Sequence, residues 1–333
     1  MRIVDISKCK MGDEAVRSVV GLLEDNTTVS HLSLAENGFG EGVVESIVQL
    51  IQRNTTISDL NLFGNLLKDP GATLIAEALQ FNSTLTKIDL GGNGITDDGA
   101  ISLAQALSSN VTLTDLRLFG SSIGVKGASA FAQLLLTNTT LSVLWLSSGQ
   151  RIGDNGAIII SDSLHSNSTL KHLNLGSNNV SENGAKSLSK SLQFNTTLRI
   201  LHLGENALSD SGAQSIAQLI QYNSTLTDIR LNNNKIGLQG LKALFQSIQE
   251  NTSITHLDLS SKFHEGVKNK LVLIAIVDDV TSIYKRVRQN RDKKIGEFFE
   301  TLERSEKEET KSKIQKFIKD NIHFINISHS DYC

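Results

Sequence analysis

The chain has 333 residues, 39% of them hydrophobic, and its 32 Lys and Arg against 35 Asp and Glu leave a net charge of −3 at pH 7. This near balance excludes an overall field that would attract nucleic acid or an anionic membrane surface. The two cysteines are too few for a disulfide framework, and the apolar run 271–277 is too short to span a bilayer. Since residues 1–25 show no secretory signal, we expect a cytoplasmic protein that contacts neither nucleic acid nor membrane.

A triplet of the form Asn-x-Thr or Asn-x-Ser recurs with a period of 28 residues, and one interval is 29. A period this strict predicts a solenoid of stacked units rather than a globule with one core. The triplet also matches the glycosylation acceptor pattern. Without a secretory signal we interpret each Asn instead as a turn residue in the left-handed conformation after a helix. The triplets begin at Asn26, Asn54, Asn82, Asn110, Asn138, Asn167, Asn195, Asn223 and Asn251.

The first unit starts at the beginning of the chain, with Val4 and Ile6 already at strand positions. The end coil of a solenoid has no neighbour to cover it and needs a polar cap. No such cap precedes Val4, so either Met1 is an internal start of a longer repeat array or the N-terminal end is a contact for another protein.

Residues 82–110 illustrate a complete unit. A brief alternation of apolar and polar residues predicts a strand, and Asn93 follows it. Thr96 has the chemistry of a helix N-cap, and Asp97 stands in the first helical turn, where the helix dipole favours an anion. Gly99 and Ala100 form a small pair, repeated in most units, that we expect to allow close approach of neighbouring turns. The apolar face of the helix is then Ala100, Leu103, Ala104 and Leu107.

The pattern Leu-x-x-Leu-x-Leu-x-x-Asn-x-Leu/Ile, followed by Gly-Ala-x-x-Leu in a 28-residue unit, resembles the leucine-rich repeat of the ribonuclease-inhibitor type. NOD-like receptor arms, the Ran GTPase-activating protein and tropomodulin share this subclass. The resemblance covers residues 2–263 and implies an α/β horseshoe solenoid of about ten units. Parallel β-strands would line its concave face and α-helices its convex face, with asparagines bonding backbone between coils.

Two departures from the repeat are adjacent. In one unit Ser121 replaces the asparagine that follows the strand in the repeat pattern. The segment 149–151 of the next unit contains the single inserted residue. We interpret the widened loop as tolerated rather than functional. Residues 264–333 leave the pattern, and we expect them to form a helical cap and a charged tail, a helical C-terminal extension of the solenoid.

Side chains that alternate with the strand leucines point to the concave face. Trp145, the single Trp of the chain, lies there one row from Arg117 and Phe119. Because Trp, other aromatic and Arg residues dominate binding hot spots, an exposed Trp145 favours partner binding, whereas Arg117 stacked on Trp145 would cover it instead. The arc of ten strands, about 43 Å, suits a protein partner better than a metabolite. The candidate partner-binding residues are Trp145, Arg117, Phe119, Phe63, Asp59, Asp89, Asp115, His202 and Arg230.

The sequence contains no nucleophile elbow, phosphate loop or zinc-binding helix motif. His172 and His202 lie on adjacent strands without a third ligand, so no catalytic residue, metal or cofactor is predicted. We expect a monomeric, non-catalytic protein–protein interaction scaffold. One alternative is a regulator of a small GTPase by analogy with the Ran activating protein, although that family ends in a strongly acidic tail and this chain does not. The other is a bacterial effector acting in a host cell, because residues 303–309 resemble a glutamate-rich translocation signal.

Overall fold

A computed structural model describes residues 2–147, 149 and 151–259. Within them, ten parallel strands form one open sheet whose order follows the chain, and nine helices alternate with the strands. This confirms the predicted leucine-rich-repeat solenoid, while the extension predicted for 264–333 lies outside the described residues. The strands are β1 (Arg2–Asp5), β2 (Val29–Ser33), β3 (Asp59–Asn61), β4 (Lys87–Asp89), β5 (Asp115–Arg117), β6 (Val143–Trp145), β7 (His172–Asn174), β8 (Ile200–His202), β9 (Asp228–Arg230) and β10 (His256–Asp258). The helices are α1 (Gly12–Leu23), α2 (Glu41–Arg53), α3 (Lys68–Phe81), α4 (Asp97–Leu107), α5 (Val125–Thr137), α6 (Gly153–Leu164), α7 (Glu182–Leu192), α8 (Asp210–Tyr222) and α9 (Leu238–Glu250).

The register of the sheet follows the sequence period. Leu60 of β3 pairs with Ile88 of β4, and Ile88 pairs with Leu116 of β5, each 28 residues on. These central strand residues are buried in a continuous apolar core shared with the helices. Their neighbours on each strand therefore face the opposite side. Because strands lie about 4.8 Å apart and packed helices about 8–10 Å apart, the sheet lines the concave side of the stack.

The Asn triplets bond one coil to the next. Asn54, which is 4% exposed, donates from Nδ2 to the carbonyl oxygens of Leu23 (2.7 Å) and Asn26 (2.9 Å) in the preceding coil. Its Oδ1 accepts from the backbone N–H groups of Thr56 and Ile57. The expected left-handed backbone is wrong, since Asn54 is extended with φ −75° and ψ 131°. The extended conformation follows from this bonding pattern, and the amide nitrogen that a glycan would need is buried and already bonded.

The N-termini of α4, α5, α7 and α9 are stabilised by an aspartate of the preceding coil rather than by the residue before the helix. Thr96 occupies the predicted N-cap position of α4 with an extended backbone, but its side chain makes no capping bond to its own helix. Asp69 of the preceding coil instead accepts from the backbone N–H groups of Thr96 (2.7 Å) and Gly99 (3.0 Å), and the Thr96 hydroxyl donates to it. Asp97 does the same for the next helix. Helix α5 receives its acceptor from Asp97, α7 from Asp154 and α9 from Asp210.

The small Gly-Ala pair allows the close approach that the sequence predicts. A Cβ atom added to Gly127 would lie 3.0 Å from Cβ of Ala100 in the preceding coil and 2.6 Å from Cγ2 of Ile123. Both distances are shorter than ordinary carbon contacts. A larger residue at Gly127 would therefore push adjacent helices apart.

A second set of asparagines, one after the strand of most coils, also bonds adjacent coils, and Ser121 interrupts this set. Asn93 of the coil before shows the regular pattern, with Nδ2 donating to the carbonyl oxygens of Leu62 (2.9 Å) and Leu90 (3.0 Å). The Ser121 hydroxyl is buried and has no hydrogen-bond partner among the described residues. Its side chain is too short to reach the preceding coil.

We expect Ser121→Asn to stabilise the protein by about 1 kcal/mol, because the longer amide would restore bonds to two buried carbonyl groups. Urea unfolding measures the difference. Asn93→Ser is the matched reverse change and should cost about 2 kcal/mol, since it leaves buried backbone groups unpaired. A neutral or destabilising Ser121→Asn beside a destabilising Asn93→Ser would show that the fifth coil has lost the space for the amide.

Candidate functional site

Two phenylalanines stack on the concave face across an intervening coil. The rings of Phe63 and Phe119 have centroids 4.7 Å apart and planes inclined by 16°. They follow β3 and β5, and Gly91 occupies the equivalent position after β4. A Cβ on Gly91 would lie 2.9 Å from Cδ1 of Phe119. The missing side chain therefore permits the stack, and both rings remain partly exposed.

The rings continue along the concave face toward later coils. Trp145 contacts Phe119 edge-on at 6.0 Å between centroids and His172 at 5.5 Å. His172 in turn lies 4.8 Å from His202, and Trp145 lies 6.4 Å from His202. We call these five residues the aromatic row: Phe63, Phe119, Trp145, His172 and His202.

Trp145 is buried, which corrects the expectation of an exposed indole. It is 8% exposed, and the guanidinium carbon of Arg117 lies 4.4 Å from the ring centroid. The stacking alternative is therefore the arrangement observed. Sequence reasoning placed both residues on the right face, but only the packed neighbours show that Arg117 covers the indole.

Charged side chains lie beside the aromatic row. Lys87 Nζ is 3.0 Å from Oδ2 of Asp59. Arg117 donates from Nε and Nη2 to the two oxygens of Asp115, both at 3.1 Å. This two-bond geometry holds the guanidinium against Trp145 and is stronger than a single neutral hydrogen bond.

Asp89 lies between these ion pairs and has none of its own among the described residues. It is 8% exposed, and Oδ1 accepts from the backbone N–H of Gly91 at 2.9 Å. Burial raises the pKa of Asp89 to about 6, although the Gly91 bond and the charges of Arg117 and Lys87 act in the opposite direction. The carboxylate is therefore ionised at pH 7 at an electrostatic cost.

The far end of the aromatic row is uncharged at neutral pH. Burial lowers the pKa of His172 to about 4 and that of His202 to about 2, and the charge of Arg230 adds to both shifts. Nε2 of each ring is buried and has no hydrogen-bond partner in the described part of the chain. Arg230 pairs with Asp228 on its own strand at 3.2 Å. His172 is not among the candidate residues that the sequence predicts, and its place on the strand beside that of His202 is the signal that indicates it.

Acidification is expected to destabilise the protein through these histidines. Their folded pKa values lie below the unfolded value of about 6.5, so the unfolded state binds more protons as pH falls below that value. Each histidine then removes about 1.4 kcal/mol per pH unit, whereas Asp89, whose folded pKa is raised, returns a similar amount below pH 6. We expect a net loss of about 2 to 3 kcal/mol between pH 7 and pH 5.

Urea unfolding at both pH values tests this expectation. The double variant His172→Gln, His202→Gln removes the two titrating histidines, so only Asp89 contributes and the variant should gain about 1 kcal/mol over the same interval. If the variant and the parent protein lose stability in parallel, the histidines are not the cause.

The structure brings most of the candidate residues together. Seven lie on adjacent coils around β3–β6, and His202 joins them through its contact with Trp145, while Arg230 lies beside His202 in the register. The seven are Asp59, Phe63, Asp89, Asp115, Arg117, Phe119 and Trp145.

Among the described residues, no group of three His, Cys, Asp or Glu side chains could hold a metal ion, and no helix is long and apolar enough to cross a membrane.

Several solved structures are similar to this chain at low sequence identity. A structure described as leiomodin-1 actin-binding site 2 is 16% identical, with a TM-score of 0.40, and the match covers 50% of this chain and 92% of that one. An internalin from Listeria monocytogenes is 20% identical, with a TM-score of 0.43 and coverages of 79% and 67%. The tropomodulin C-terminal domain of Caenorhabditis elegans is 16% identical, with a TM-score of 0.38 and coverages of 50% and 97%. No curated protein matches the chain.

A family model described as Leucine Rich repeat matches seven successive segments that together make up half of the chain. They are residues 53–76, 81–104, 109–132, 137–161, 166–189, 194–217 and 222–245. Each segment runs from the end of one helix through a strand into the next helix. The repeat match and the parallel stack of strands agree, and the chain belongs to the leucine-rich repeat family.

Proposed function

We propose that this protein is a non-catalytic scaffold that holds a protein partner on its concave face. The observation that carries the proposal is the aromatic row with Arg117 beside it. The repeat sets the leucines, asparagines and helix-capping aspartates in coil after coil, whereas these side chains differ from coil to coil and still converge on one surface. Solenoid proteins use their extended concave surfaces for binding.

The composition of this surface supports a protein partner. Partly exposed aromatic rings and arginine dominate binding hot spots, and paired charges at their border fix register more than affinity. Trp145 acts here as the support beneath Arg117, and the partner contacts Arg117, Phe63 and Phe119. His202 and Arg230 extend the surface toward β9.

Arg117→Ala and Trp145→Ala test the proposal. Each should reduce partner capture from lysate by about tenfold, because one removes a contact and the other its support. Lys186→Ala, an exposed change on α7, is the control and should capture the parental amount. Thermal unfolding of each variant confirms that the fold is kept. Capture that stays at the parental level in both concave-face variants would contradict the proposal.

The two alternatives make separate predictions. A regulator of a small GTPase would stimulate GTP hydrolysis by its partner. An effector would deliver a reporter fused to residues 265–333 into a host cell. The GTPase regulator is supported only by family analogy, and the effector only by a segment outside the described residues. The aromatic row supports neither alternative.

A further inference from the structure

One carboxylate on the concave face lacks a counter-ion. Strands β3 to β5 carry three aspartates and two cations on this face. Lys87 pairs with Asp59 and Arg117 pairs with Asp115, so both cations are already engaged. Asp89, between them, lacks an ion-pair partner within the described residues. The surface is therefore one positive charge short of balance.

The environment of Asp89 makes this deficit costly. The side chain is 8% exposed and bonds only the Gly91 N–H, through Oδ1, so Oδ2 has no hydrogen bond in the part of the chain that the structure describes. Burial of a carboxylate without a counter-ion disfavours its charged form, in agreement with its raised pKa. A cation supplied from outside would remove that penalty, whereas a neutral or anionic group would not.

Aromatic rings pack around the glycine that bonds this carboxylate. Gly91, which donates to Asp89, lies beneath Phe119, because a Cβ on Gly91 would approach Cδ1 of that ring to 2.9 Å. Phe63 stacks on Phe119 and lies beside the next residue, since a Cβ on Gly92 would approach its Cε2 to 3.0 Å, and both rings are partly exposed. The carboxylate is therefore bonded to the glycine that packs against Phe119, the ring on which Phe63 stacks.

We propose that this position is a subsite for an arginine side chain of the protein partner, whose guanidinium pairs with Asp89 and packs against Phe63 and Phe119. The inference rests on the proposed function and specifies the chemistry of the partner. Arginine fits better than lysine, since its planar guanidinium stacks on aromatic rings, bonds carboxylates through a fork and is less strongly hydrated. Arg117 on Trp145 and Asp115 shows the same combination within the chain.

The test uses the full-length protein and the peptide acetyl-Gly-Arg-Gly-amide, with otherwise identical citrulline and lysine peptides as probes. Carboxyl carbon NMR follows the titration of Asp89 with and without saturating peptide. Only the arginine peptide should lower the pKa of Asp89, by about one unit or more, which corresponds to about tenfold tighter binding to the ionised form. Citrulline has nearly the same shape without the charge, so it should leave the titration unchanged.

Two variants separate the subsite from general electrostatic attraction. Asp89→Asn should weaken the arginine peptide about tenfold, while removing a buried charge that does not favour folding. Asp228→Asn removes a carboxylate of the same face and should change affinity less than about twofold. Equal effects of the two variants, an unmoved Asp89 titration, or equal shifts with the citrulline or lysine peptide would overturn the proposal. If one of these results is found while the Arg117 and Trp145 variants still capture less partner, the arginine subsite is wrong but the proposed function is still supported.

Discussion

Asn110→Ala is expected to lower the free energy of unfolding by about 4 kcal/mol, because each buried backbone group left unpaired costs about 1–3 kcal/mol. Asn110 is 3% exposed, and its Nδ2 donates to the carbonyl oxygens of Leu79 (2.7 Å) and Asn82 (3.0 Å) in the preceding coil. Its Oδ1 accepts from the N–H groups of Thr112 and Leu113. Alanine removes all four bonds, and urea unfolding measures the loss.

Asn26→Ala is the matched control, because Asn26 opens the first triplet and no coil before it is among the described residues. Its Oδ1 accepts from the N–H groups of Thr28 and Val29 in the same local geometry. Nδ2 donates to no group among the described residues, and the side chain is less buried. We expect a loss of about 1 kcal/mol. If the two variants lose equal stability, the bonds between coils contribute nothing beyond the local turn.

Asp97→Ala is expected to cost about 2 to 3 kcal/mol, because a charge-assisted acceptor of two helix N–H groups is removed. Oδ1 of Asp97 accepts from Gly124 (2.8 Å) and Gly127 (2.7 Å) at the start of α5. These N–H groups have no acceptor within their own helix. The midpoint of urea unfolding and its slope measure the change.

Asp98→Ala separates this effect from the dipole of α4. Asp98 is the next residue, lies in the same first turn and is exposed, and no hydrogen bond to the following coil involves it. Both aspartates interact with the dipole of α4, but only Asp97 caps α5. We expect Asp98→Ala to cost about 0.5 kcal/mol or less. A loss as large as that of Asp97→Ala would mean that the local dipole, not the contact between coils, is the stabilising term.

The candidate site was only partly predictable. Alternation along each strand placed Phe119, Arg117 and Trp145 on one face, because neighbouring strand residues must point to opposite sides. Their contacts did not follow from alternation. Trp145 could lie exposed or beneath Arg117, and the choice depends on the length of Arg117 and on Asp115, which holds its guanidinium. The stack of Phe63 on Phe119 depends on Gly91, a position that local patterning assigns only to a turn.

The period, the parallel order of the strands and the burial of the leucines could be read from the residues alone. Each is a consequence of spacing, since a unit of constant length with one apolar edge can bury that edge only by stacking on its copies. The roles of Asn54 and Asp69 required the stacked structure. Both residue types favour local turns and caps, but the closest unpaired backbone groups belong to the adjacent coil about 28 residues away. The same holds for Asp89, whose missing counter-ion emerges only when the strands on both sides are in place and their cations are already paired.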